Sequence, residues 1–214
     1  MSTDIVIVGC GGHGREVAGI VRAINDSAHE PPWRLAGFVD DNPSELNRKR
    51  VAALGAAHLG PLAILAHLPE GTHVALGIGD PRVRRTVGDR LDVLGLTFAR
   101  LVHPDATVGD DLVAAEGLVV FAGARVTTSV SVGRHVHINQ NCTLAHDCVV
   151  GDYVSLHPLA AVSGDCRLDV AALVGAAAVV LPGLHIGAAT TVGAGACVTR
   201  DVPAGTTVKG VPAR

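Results

Sequence analysis

Eleven histidines are scattered along the 214-residue chain, and one stands out by its neighbour. His146 is followed directly by Asp147 inside TLAHDCVVG, Thr143 to Gly151, a run otherwise made mostly of small and aliphatic residues. A neutral imidazole, with an unperturbed pKa of about 6.5, is suited to taking a proton near neutral pH. An adjacent carboxylate fixes its tautomer and stabilises the imidazolium that forms. The pair therefore reads as a general base, His146, oriented by Asp147. A second candidate is the loop GCGGHG, where Gly9, Gly11 and Gly14 are spaced as G-x-G-x-x-G after an apolar run and before a helical pattern. Amides at such a helix start attract a phosphate or sugar oxygen, with Asp40 and Asp41 as acidic partners further on. Two readings stand: an anion cradle, or glycines needed only for a tight turn. His13, within the loop, is either a substrate contact or an exposed turn residue. Of the other histidines, His29, His58, His67 and His73 show no pattern. His103 suits a structural transition and His185 a corner, while His135 and His137 read either as exposed surface or as functional residues.

Two different periods set the frame for these residues. In the first half, Asp4–Gly9, Arg34–Val39 and His73–Ile78 read as buried parallel strands, with Leu96–Leu101 as a short last one. Val17, Ile20, Val21 and Ile24 mark an amphipathic helix, and Asp80-Pro81 marks the cap and first turn of another. This predicts a small doubly wound α/β domain over 1–98 with room for a mononucleotide. In the second half, stepping by six from Val108 to Val198 meets only Val, Ile or Leu, apart from Ala114. Two residues before each lies a mostly small residue, such as Ala106, Cys142, Cys148, Cys166 or Ala178. A sustained hexapeptide repeat predicts a β-helix solenoid over 99–214, in which three repeats make one triangular coil. The register places the three cysteines in the interior and aims His146, two residues after the inward Leu144, outward.

Composition agrees with stacked, repetitive packing. Hydrophobic residues make up 48% but aromatics only 2%, so the core must be built from Val, Ala, Leu and Ile. A net charge of −3 gives no electrostatic attraction to nucleic acid or an anionic membrane. No apolar run reaches the roughly 20 residues of a membrane span, and the N-terminus lacks the features of a signal peptide. Five cysteines without zinc spacing read as reduced thiols in a cytoplasmic protein, with no metal expected.

Several motifs together resemble one family. VGCGGHGREV, FVDDNP, IGDPRVRR, LVHPDATVG, LAHDCVVGDYV and the terminal KGVPAR are similar to the PglD/NeuD group of nucleotide-sugar and sialic-acid acetyltransferases. The resemblance covers essentially the whole chain. It implies a left-handed parallel β-helix, a homotrimer with active sites between neighbouring prisms, and acetyl-CoA as donor. It matches His146 to the family's catalytic histidine and Asn139 to an asparagine near the reacting amine. It assigns Gly11, Gly12, His13, Gly14, Asp40 and Asp41 to the nucleotide sugar. It also implies that Gly164, Gly175, Ala176 and Ala194 line the pantetheine groove and that Lys209 meets a CoA phosphate. One departure is visible: relatives read GDYVHLSP where this chain reads GDYVSLHP, exchanging Ser155 and His157. Both are therefore assigned to the acetyl donor, with His157 either replacing the family histidine or serving as a coil residue.

The expected activity is acetyl-CoA-dependent N-acetylation of a nucleotide-linked amino sugar, a 4-amino-4,6-dideoxy sugar in particular. O-acetylation of sialic acid or a related sugar is the rival within enzymes. A non-catalytic trimeric scaffold is the rival outside them.

Overall fold

The computed structural model describes residues 2–214 and opens with an all-parallel sheet of strands β1 (Thr3–Val8), β2 (Trp33–Val39), β3 (His58–Gly60), β4 (His73–Leu76) and β5 (Thr97–Phe98). Their order is β3-β2-β1-β4-β5. Helices α1 (Gly12–Ser27), α2 (Glu45–Ala53) and α3 (Pro81–Leu91) complete this layer. The chain reverses its direction of winding between β1 and β4, so the crevice beyond their carboxyl ends is where a ligand is favoured. Two glycine-containing turns meet there. Gly9, at φ +107°, would drive a Cβ to 2.9 Å from the Gly77 carbonyl, and a Cβ on Gly14 would strike the Gly9 carbonyl. Both positions need glycine because α1 packs hard against β1 and β4. Helix α2 and strand β3 carry no clear period. Only Val51 of α2 is buried, which is why the hydrophobic pattern does not reveal it. The single strand expected over 96–101 is split in two: β5 ends the α/β sheet, and Leu101–Val102 already belongs to the coil.

From Leu101 the chain winds as a three-sided prism of two-residue strands. The first face stacks Leu101–Val102, Val119–Val120, His137–Ile138, Ser155–Leu156, Leu173–Val174, Thr191–Val192 and Thr207–Val208. The second carries Thr107–Val108, Arg125–Val126, Thr143–Leu144, Ala161–Val162, Val179–Val180 and Cys197–Val198. The third carries Val113–Ala114, Ser131–Val132, Val149–Val150, Arg167–Leu168 and His185–Ile186. Up to the last turn each strand pairs in parallel with the one eighteen residues on, as Thr143 does with Ala161, whereas Thr191 pairs with Thr207 across a shortened turn. The second residue of each strand points inward, and Ile138, Leu144 and Leu156 are fully buried, as are Cys142 and Cys148. Each such aliphatic side chain contributes about 1.5–3 kcal/mol of burial. The corners have their own six-residue rule. Ser129, His135, Asn141, Asp147, Tyr153, Leu159, Asp165, Ala171, Ala177 and Ala189 all sit at φ between +53° and +65°. Asp and Asn tolerate this left-handed conformation better than most residues, so Asp147 suits the turn it occupies. His185 lies in a strand of the third face rather than at a corner, and its Nε2 bonds to Asp169 at 2.7 Å.

The α/β layer is seated on the first face, near the start of the prism. Ile5, Phe38 and Ala75 share a core with Leu101, Val119 and Phe121, while Leu91 and Phe98 share one with Tyr153. Arg84 of α3 is completely buried at this junction. Its guanidinium donates to the carbonyls of Ile78, Gly79, His135, Tyr153 and Val154 and to Ser155 Oγ. Three expectations are corrected here. His135 and His137 are fully buried, not exposed, because the α/β layer covers the edge on which the repeat places them. Ser155 is also fully buried, holding Arg84 at 2.8 Å, so its hydroxyl is closed to an acetyl donor. Among the described residues no helix is long and apolar enough to cross a membrane.

Candidate active site

The corner after Thr143–Leu144 presents His146 with its side chain 60% exposed. Its Nδ1 lies 2.7 Å from Asp147 Oδ2. A carboxylate only accepts, so Nδ1 carries the proton and the Nε2 lone pair is left to receive another. The ring is supported from the next coil. A Cβ on Gly164 would fall 2.4 Å from His146 Cε1, so the imidazole can lie flat on the backbone only because residue 164 is glycine. Gly164 is thus the floor under His146 and is covered by it.

A second assembly lies at the next edge of the prism, between the first and second faces. A cleft of about 390 Å³ is lined by His13, Glu16, Gly79, Asp80, Asn139, Gln140, His157, Pro158 and Leu173. It opens at the topological switch point, where the turns after β1 and β4 meet the coil. Asn139 and His157 come from successive coils of the same edge. Asn139 is 6% exposed and donates from Nδ2 to the Leu156 carbonyl at 2.6 Å, which fixes its amide. His157 has a lowered pKa through burial, then Arg84. Burial and Arg84 likewise push His13 down to about 4. The cleft therefore offers neutral imidazoles, amides and two carboxylates. Among the described lining residues none is Lys or Arg.

Other expected residues have different work. Asp40 is consumed locally: Oδ2 accepts from Cys10 N at 2.8 Å and Oδ1 from Asn42 N at 3.0 Å. Asp41 is exposed and accepts from Leu62 N at 2.8 Å, with Arg90 Nη1 at 3.8 Å from its other oxygen. Gly11 and Gly12 leave open space above the start of α1, whereas Gly14 is buried in the packing of α1 on β1. Gly175 is closed against the Val192 carbonyl, and Ala176 and Ala194 continue the cleft's edge with small side chains. Exposed Lys209 lies past Gly193, whose Cβ would meet its Cβ at 3.1 Å. Glu16, Asp80 and Gln140 in the cleft lining, and His137 beneath it, were not singled out from sequence as site residues. Asp80 was legible only as the cap of α3, where its Oδ1 accepts from Arg82 N and Val83 N. Glu16 is three residues after His13 on one helix, a spacing that brings side chains together.

The cleft and the His146–Asp147 pair lie on different edges of one chain, separated by the second face. One protomer does not bring them together.

Comparison with known proteins completes the picture. Residues 4–91 match the model of the PglD N-terminal domain. Over 213 residues the chain is 32% identical to a GDP-perosamine N-acetyltransferase of Escherichia coli, covering 97% of this chain and 94% of that protein. The crystal structure of PerB from Caulobacter crescentus, in complex with CoA and GDP-perosamine, superposes with a TM-score of 0.87 at 33% identity, covering 99% of this chain and 96% of that one. Variants of the Caulobacter crescentus perosamine N-acetyltransferase with one histidine replaced by Asn or Ala have been crystallised with the same two ligands. The acetyltransferase domain of PglB from Neisseria gonorrhoeae, in complex with acetyl coenzyme A, gives a TM-score of 0.85 at 28% identity, covering all of this chain and 99% of that one. With its Rossmann-like N-terminal domain leading into a left-handed β-helix, the chain belongs to the PglD/NeuD-type sugar acetyltransferases.

Proposed function

We propose that this protein transfers the acetyl group of acetyl-CoA to the amine of a nucleotide-linked amino sugar, of the 4-amino-4,6-dideoxy class, with His146 as general base. The observation that carries the reading is the outward imidazole of His146, held through Nδ1 by Asp147 with Nε2 left to accept. Full-length relatives at 32–33% identity are named for GDP-perosamine acetylation or hold CoA and GDP-perosamine. The sugar occupies the cleft of His13, Asn139 and His157, and its nucleotide extends toward Gly11, Gly12 and Asp41. The pantetheine follows the edge of Ala176 and Ala194, and Lys209 lies toward the CoA phosphates. The amine nitrogen attacks the thioester carbon, and His146 Nε2 takes the proton that nitrogen sheds. Asp147 stabilises the imidazolium. The C–S bond then breaks, and the departing thiolate recovers that proton as the free thiol of CoA.

The separation of cleft and base within one chain supports a homotrimer in which the cleft of one protomer faces His146 of the partner subunit. The test is His146→Ala, assayed by thiol release with acetyl-CoA and GDP-perosamine, followed by other nucleotide-linked 4-amino sugars. Turnover should fall about 10²–10⁴-fold, the usual worth of a general base, while calorimetry still finds CoA and sugar nucleotide bound. Near-normal kcat would reject the assignment.

A further inference from the structure

At the floor of the cleft, the half-buried imidazole of His13 is bonded to the fully buried imidazole of His137. His13 Nε2 and His137 Nδ1 are 2.9 Å apart. Their ring centroids are 5.0 Å apart with 24° between the planes. Contact at the nitrogens with such separated centroids means the rings meet edge to edge and nearly coplanar, which is hydrogen-bond geometry. Phe121, with its ring centroid 5.3 Å from that of His13, and Gly79, whose Cβ would fall 3.5 Å from His13 Cγ, confine the His13 ring. Burial, reinforced by Arg84, keeps both imidazoles neutral. His13 also stands in the first turn of α1, where the helix dipole disfavours a cation.

A neutral imidazole has one N–H and one lone pair, so the pair has two possible tautomer sets. Suppose His13 donated from Nε2. Its Nδ1 lone pair would then face Glu16 Oε2 at 3.4 Å. His137 would carry its proton on Nε2, a buried atom without a hydrogen-bond partner. The opposite set removes both penalties. His137 Nδ1–H donates to His13 Nε2, His13 Nδ1–H points to Glu16, and only a lone pair on His137 Nε2 is orphaned. Buried unpaired N–H groups are rarer than under-satisfied acceptors.

We propose that His137 is a positioning residue that locks His13 in the Nδ1–H tautomer, so that His13 meets the sugar as a fixed hydrogen-bond donor and never as a second base. The proposal rests on the cleft's being the amino-sugar site. Glu16, with its side chain 54% exposed, is placed to yield Nδ1–H to an acceptor oxygen of the sugar. The His13 lone pair stays hidden, so only His146 competes for the amine proton.

The test uses the full-length protein. Nitrogen-15 NMR of the ligand-free wild type should show His13 protonated on Nδ1 and bare on Nε2, with the resonance assigned by its loss in His13→Gln. His137→Leu removes the donor together with the orphaned nitrogen, and His137→Asn restores an N–H near the Nδ1 position. In His137→Leu the His13 tautomer should become mixed. KM for the sugar nucleotide should rise about tenfold, the worth of one hydrogen bond, with kcat little changed. His137→Asn should recover most of both. A wild-type proton on His13 Nε2, or a folded His137→Leu that keeps tautomer and KM, overturns the proposal. The stated tautomer in a protein that acetylates no amino sugar supports the lock and overturns the acetyltransferase reading instead.

Discussion

At the scale of single residues, the base depends on an atom that is missing. Gly164 has no side chain, and the His146 imidazole occupies the place a Cβ would fill. Gly164→Ala should therefore push the ring off its support while leaving the aliphatic column intact. The expected result is a fall in kcat of about tenfold or more, since small displacements of a catalytic group are costly, with a shift in melting temperature of only a few degrees. Steady-state kinetics and a thermal melt on the same preparation check it; unchanged kcat would show that the support is dispensable. His146 and Asp147 were legible in sequence because a polar pair interrupts an apolar rhythm. Gly164 was legible only as glycine, because its role comes from the coil before it. His137 was misread because its surroundings are supplied by His13, far away in the chain.

At the scale of elements, the seating of the α/β layer on the first face decides which histidines are buried. His135 stacks on Tyr153, meets Phe98 edge-on and has no hydrogen-bond partner on either ring nitrogen. Burial holds its pKa down at about 4, reinforced by Arg134 and Arg84 and opposed by Asp92. The unfolded chain protonates it near pH 6.5, so between these values the unfolded state binds more protons. Stability is then fully present above about pH 6.5 and is lost as pH falls toward 4. Half-buried His13, also near 4, adds in the same direction. Melting temperature should decline steadily from pH 7 to pH 4.5, and His135→Leu should flatten that decline whatever it does to the value at pH 7. A slope identical to wild type would show that His135 is already accessible in the native state. None of this docking is periodic. A hexapeptide repeat declares which side chains point inward, but not which outward faces a second layer covers.

At the scale of the whole molecule, the strongest legible feature was the repeat. One constraint is imposed sixteen times, and chance cannot mimic it. The left-handed corner conformation every six residues was not legible, since residues as different as Ala171, Tyr153 and Asp147 adopt it. The distance between cleft and base was not read from sequence either, because it emerges from the size of one prism face. That distance leads to the last prediction. If each site takes its cleft from one protomer and its base from the next, two inactive variants should complement each other. His146→Ala has a sound cleft and no base; Asn139→Ala has a sound base and a damaged cleft. Randomly mixed trimers formed by co-expression place a sound cleft opposite a sound base at about one site in four, given cyclic symmetry. Every trimer that contains both variants then holds one sound site in three, so purified mixed trimers should recover about a third of the wild-type activity, well above either variant alone. If cleft and base serve the same site within one chain, every site keeps a defect and mixing restores nothing. The comparison needs only two affinity tags, so that mixed trimers can be purified away from the parents before the thiol-release assay.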